Sequence, residues 1–99
     1  MSSSDLPAEL GGAKVLKFAE VTPDVTATGA TRHIVGGAPF GPAHALAVAQ
    51  HDGQYGTYLF YLNTAGQVVT DTWHLSVEDA LDQASFEYEG LLWIDVADA

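Results

Sequence analysis

Residues 71–74 read Asp-Thr-Trp-His. A carboxylate and an imidazole this close are the parts of a general acid–base pair, and with further His or acidic side chains they could ligate a metal. The chain then runs through Glu78, Asp79, Asp82, Glu87 and Glu89 without a base. That run is either an acidic docking face or the solvated side of a helix.

Spacing argues against chemistry at the tetrapeptide itself. In a strand, Asp71 and Trp73 fall on one face and Thr70, Thr72 and His74 on the other, so Asp71 and His74 do not share a face while the strand is regular, which weakens a dyad built from these two alone. Trp73 is expected to be a core residue sealing the corner where strand becomes helix. The four histidines, His33, His44, His51 and His74, form no H-x-H, H-x-x-x-H or H-E-x-x-H set, so no metal and no cofactor is expected. No serine sits in a G-x-S-x-G elbow. With no cysteine there are no disulfides, thiolate ligands or cysteine nucleophiles. The stretch GGAPFGP (36–42) is expected to be a loop, but no Lys and no helix follow it, so it does not suit a phosphate. The enzymatic or small-molecule reading keeps one locus, a pocket at the sheet–helix corner using Asp71, His74, His44 and Tyr58. The balance favours a protein that is not an enzyme.

Thirteen acids against three bases (Lys14, Lys17 and Arg32) give a net charge of −10. Such a surface repels phosphate backbones and anionic lipid, which excludes nucleic acid and membrane as partners and leaves a basic protein. The charge is uneven: Asp71, Glu78, Asp79, Asp82, Glu87, Glu89, Asp95 and Asp98 face no base after position 70. No apolar run approaches the ~18 residues that span a bilayer, and the first residues lack the basic and apolar regions of a secretory signal. Together with the missing cysteines this points to the cytoplasm.

The 99 residues suffice for one domain. Residues 1–11 are expected to be a flexible tail and 12–99 a single α+β domain. A strand over 13–21 sets Val15 opposite Leu16 and Phe18. A second covers 25–35 with a bulge at Gly29. Residues 43–52 alternate, His44, Leu46, Val48 and Gln50 opposing Ala45, Ala47, Ala49 and His51. Residues 56–63 are apolar on both faces, as in a central strand. Asn63–Gly66 forms a hairpin turn with a bulge, and 67–74 returns as the paired strand. Residues 91–96 form a last strand. The result is a mostly antiparallel sheet of about six strands with one amphipathic helix, residues 76–89, on a face. The second face needs a cover, which is either the N-terminal strands curling over it or a second copy of the chain in a homodimer.

Ser76 is a suitable N-cap, with Glu78 and Asp79 in the first turn. Val77, Ala80, Leu81, Ala84 and Tyr88 follow at helical spacing and form the buried stripe; the alanine face of residues 43–51 is expected to receive it. On the same wheel Phe86 falls half a turn from Val77, among Asp79, Asp82 and Gln83. An aromatic ringed by carboxylates has the make-up of a binding anchor with a charged rim. Glu87 and Glu89 oppose the helix dipole, which implies a use for acidity there beyond stability. The expected interaction face is therefore Asp79, Asp82, Phe86, Glu87 and Glu89.

Residues 46–93 also resemble small, largely uncharacterised bacterial proteins with a T-D-T-W-H strand end followed by E-x-A-x-x-Q-A-x-x-E-Y. The matching positions include Thr70, Asp71, Thr72, Trp73 and His74, then Glu78, Ala80, Gln83, Ala84, Glu87 and Tyr88, with Trp93 near the end. Asn63 stands where an acid is more usual. The resemblance implies an immunity-type role, in which a small acidic protein inhibits a basic toxin, and it implies no catalytic residue.

Overall fold

The computed structural model of the chain describes residues 6–29 and 33–96. Its elements are β1 (Glu9–Leu10), β2 (Ala13–Glu20), β3 (Thr26–Ala27), β4 (His33–Val35), β5 (Ala38–Phe40), β6 (Ala45–Gln50), β7 (Thr57–Leu62), β8 (Val68–His74), α1 (Val77–Glu87), β9 (Tyr88–Glu89) and β10 (Ile94–Asp95). The fold is α+β: a curled antiparallel sheet in the order β1-β2-β6-β7-β8, with β10 also on β2, and one helix packed against it. Strands β1 and β10 share the edge of β2 that faces away from β6, pairing Glu9 with Lys14 and Asp95 with Lys17.

The meander β6-β7-β8 forms where alternation and turn residues agree. The Asn63 carboxamide oxygen accepts from Ala65 N–H and Gln67 N–H, both at 3.0 Å, and Asn63 N–H donates to Gln67 O. These bonds fix the register in which Tyr61 faces Thr70 and Tyr58 faces Trp73. The Ser76 hydroxyl accepts from Asp79 N–H at 3.1 Å and starts α1. The helix stops at Glu87, two residues before the expected end, because Tyr88 is extended and β9 pairs with β3.

Three local expectations are corrected. The loop at 36–42 is in part a hairpin, β4 against β5. Gly36 and Gly37 both have positive φ, 59° and 81°, which builds the two-residue turn that hairpins favour. Of the expected second strand, residues 30–32 lie outside the described residues, and 26–27 and 33–35 join different small sheets. Lastly, β2 bulges between Val15 and Lys17. The extra residue reverses the alternation, so Val15 and Phe18 enter the same core instead of opposite ones.

The sheet separates two cores. On one face Leu46, Val48, Leu59 and Tyr61 meet Ala80, Ala84 and Tyr88. The helix thus lies on the large-residue face of β6, not on its alanine face. The two helical alanines make room for the leucines and Tyr61, each worth roughly 1.5–3 kcal/mol when buried. On the other face Ala45, Ala47 and Ala49 lie beside Val15, Phe18, Phe60 and Leu62, and Leu6, Leu10, Tyr58 and Val96 close over them. Over β2, β6 and β7 the chain thus covers much of its own second face, while Asp71 and Trp73 of β8 stay exposed on that side. Of the expected tail, residues 1–5 lie outside the described residues, while Leu6 and Leu10 belong to this core.

Candidate functional site

Helix α1 presents Asp79, Asp82 and Phe86 to solvent, and Glu89 is exposed just beyond it. Phe86 is 59 % exposed. Leu6 and Leu10 are committed to the opposite core and do not cover it. The C-terminal carbonyls are answered locally: Thr28 donates its N–H to Glu87 O at 2.8 Å and its hydroxyl to Phe86 O at 2.7 Å. The acidic face is therefore a rigid helical surface with a pinned end.

Glu87 does not belong to that face. It is only 4 % exposed and sits on the buried side of α1. Its Oε1 accepts from His33 Nε2 at 2.7 Å, and its Oε2 accepts from Gln83 Nε2 at 2.9 Å and from the Tyr61 hydroxyl. An ionised carboxylate is acceptor-only, and three donors converge on this one. The His33 ring lies against Tyr61, centroids 4.3 Å apart. Glu87 therefore ties α1 to β7 and to the β4–β5 hairpin, and its acidity answers these donors, not the helix dipole. Helical spacing held the clue: Glu87 lies seven residues after Ala80 and three after Ala84, both in the apolar stripe.

Burial pushes the Tyr61 phenol well above the ordinary tyrosine range, and the Glu87 carboxylate it donates to adds to the rise. The Tyr88 phenol is also raised, by burial first, while its oxygen accepts from Ala43 N–H at 2.8 Å. Beside this cluster a cleft of about 440 Å³ is lined by His33, Phe40, Pro42, Glu87 and Tyr88.

The expected corner pocket is not assembled. Asp71 and Tyr58 lie on the face of the sheet away from α1, and His74 lies on the helix side, where its Nε2 is 2.7 Å from Thr72 Oγ1. His44 is exposed near the Asn63–Gly66 turn, lining a separate cleft of about 330 Å³. Among the described residues no three His, Asp or Glu side chains cluster as a metal site. No protein-family model, curated protein or solved structure matches the chain. What the surface can bind is therefore read from its side chains alone.

Trp73, expected in the core, is 48 % exposed. It lies flat across Gly56, with Tyr55 beside it at a centroid separation of 6.2 Å. Gly56 has φ +98°, and a Cβ there would overlap the indole. Gly56→Ala is expected to destabilise the fold by about 1–3 kcal/mol from backbone strain, with a further loss from displacing the ring. Urea unfolding of Gly56→Ala in wild-type and Trp73→Ala backgrounds separates the two contributions: the ring-displacement part is absent in the second background.

Proposed function

We propose that the chain is a non-enzymatic, acidic protein-interaction domain of the cytoplasm. Its α1 face engages a basic partner protein, in the manner of an immunity-type inhibitor. The observation that supports this reading is the exposed Phe86 ring standing among Asp79 and Asp82 on a helix without a single base. Docking would bury the ring and supply local affinity, while the carboxylates hasten encounter with a positive surface. Glu89 extends the acidic rim. Glu87 supports the face from below by fixing the end of the helix.

The test uses the full chain, an Asp79→Lys/Asp82→Lys variant and Phe86→Ala. Each is immobilised, exposed to lysate of the source cell, and then measured kinetically against the basic protein retained by the wild type. The charge reversal is expected to slow association about tenfold or more and to flatten its salt dependence. Phe86→Ala is expected to hasten dissociation while leaving association close to wild type. Wild-type rates in both variants would remove the helix face from the interaction.

A further inference from the structure

The geometry points to a second docking surface, independent of the helix face: the outer edge of β8, which takes an extended basic segment of a partner polypeptide as an added antiparallel strand. The sheet has two ends. At one, β1 and β10 cover β2; at the other, β8 is terminal: among the described residues β4 comes close to β8, but no strand pairs with its outer side.

The hydrogen-bond alternation shows which groups that edge offers. Val21 N–H donates to His44 O at 2.9 Å, and these two residues continue the register in which Ala19 faces Leu46 and Lys17 faces Val48. Leu46 and Val48 therefore aim their backbone groups at β2, and Ala45, Ala47 and Ala49 aim theirs at β7; at the start of the strand the two sides mix, since the His44 carbonyl accepts from Val21 while its N–H donates to Leu62 O at 2.8 Å. Leu59 faces Thr72 and Thr57 faces His74, and the alternation carried across the sheet makes these the hydrogen-bonded pairs. That leaves Asp71 and Trp73 directing their N–H and C=O groups away from the sheet. The bulge that opposes Tyr61 and Leu62 to Thr70 and Val68 leaves Val69 without a partner in β7, so the usable edge is 70–74.

Natural edges are guarded by Lys, Pro or a covering segment. Residues 70–74, Thr-Asp-Thr-Trp-His, carry neither Lys nor Pro. The side chains of Asp71 and Trp73 share the face turned away from α1, and both are exposed, as is Leu75 in the bend that follows. Tyr55 extends the ledge beside Trp73. The ledge is built: Gly56 lies beneath the indole where no Cβ fits. An incoming strand places alternate side chains over Asp71 and Trp73, one accepting a cation by charge and the other by its ring face.

Charge decides the occupant. A second copy would oppose one chain of net charge −10 to another. Of the three bases, Lys14 and Lys17 sit on β2 at the far end of the sheet, Lys17 paired with Asp95, and Arg32 lies outside the described residues. A segment with Arg or Lys at alternate positions meets both the acid and the aromatic ledge.

The probe is a blocked heptapeptide of alternating arginine and threonine, titrated into the isotopically labelled full chain at moderate salt. The expected result is a shift and slowed exchange of the Asp71 and Trp73 amides. Asp71→Lys is expected to weaken binding about tenfold, and Trp73→Ala is expected to weaken it as well. N-methylation of the arginine amides should abolish binding, and N-methylation of the threonine amides should not, because only residues opposite Asp71 and Trp73 exchange backbone bonds with them. Asp79→Lys/Asp82→Lys should leave the edge perturbation in place. Equal binding by both methylated peptides would overturn the strand-addition mode. A response confined to α1, or none at these amides, would overturn the edge site and leave the helix-face proposal to its own test.

Discussion

Replacing Glu87 by alanine is expected to lower the unfolding free energy by about 3–5 kcal/mol, whereas Phe86→Ala, one residue away, should change it by less than about 0.5 kcal/mol. The two side chains are neighbours in sequence and opposites in burial. Removing the carboxylate takes the acceptor away from the buried Tyr61 hydroxyl and from His33. Removing the ring of Phe86 costs little because the folded protein never hid it. Glu87→Gln keeps the volume but brings donors of its own against three donors, so its loss should fall between the two. Urea denaturation read by far-ultraviolet circular dichroism gives all three values. Equal, small losses for Glu87→Ala and Phe86→Ala would contradict the buried cluster.

Alkali is the second large effect. Tyr61 and Tyr88 have folded-state phenols raised above the ordinary value, and an unfolded tyrosine ionises near pH ~10. Below that pH both states keep both protons, and the contribution to stability is fully present. Above it the unfolded chain gives up two protons that the folded chain retains. Stability therefore falls as pH rises, by roughly 1.4 kcal/mol per pH unit for each tyrosine. Phenolate absorbance from these two residues should appear together with loss of dichroism in one cooperative step. In Tyr88→Phe the slope above this pH should be about half as steep, although the stability starts lower because Ala43 N–H loses its acceptor. Gradual ionisation of all four tyrosines without unfolding would count against the burial of this pair.

The parts of the fold that were legible in the sequence are those in which a local rule met no competitor. The meander from Ala45 to His74 follows from alternation, the Asn63–Gly66 turn from side-chain bonding to its own loop, and α1 from Ser76 and the stripe behind it. What escaped depends on long-range pairing. The bulge in β2 is created by register against β6. The shared use of β2 by β1 and β10 joins segments remote in sequence. Trp73 reads as core by residue type, yet its strand is the sheet edge and its ring lies on Gly56 beside Tyr55, half exposed. Glu87 is the instructive case, since its residue type pointed outward while its spacing from Ala80 and Ala84 pointed inward. Spacing prevailed because three donors were waiting at that position.

The sharing of β2 by the first and last strands has a consequence for how the chain could be rewired. Pairing at Lys14 and Lys17 brings β1 and β10 to rest along one backbone, on the side of the sheet remote from β8. Joining the two ends by a linker and reopening the chain at the exposed turn of Thr64 and Ala65 yields a circular permutant that retains every strand pair. In that rearranged chain the pairing of β10 with β2 becomes short-range, so permutation offers a direct way to ask how far closing this long loop limits the speed of folding.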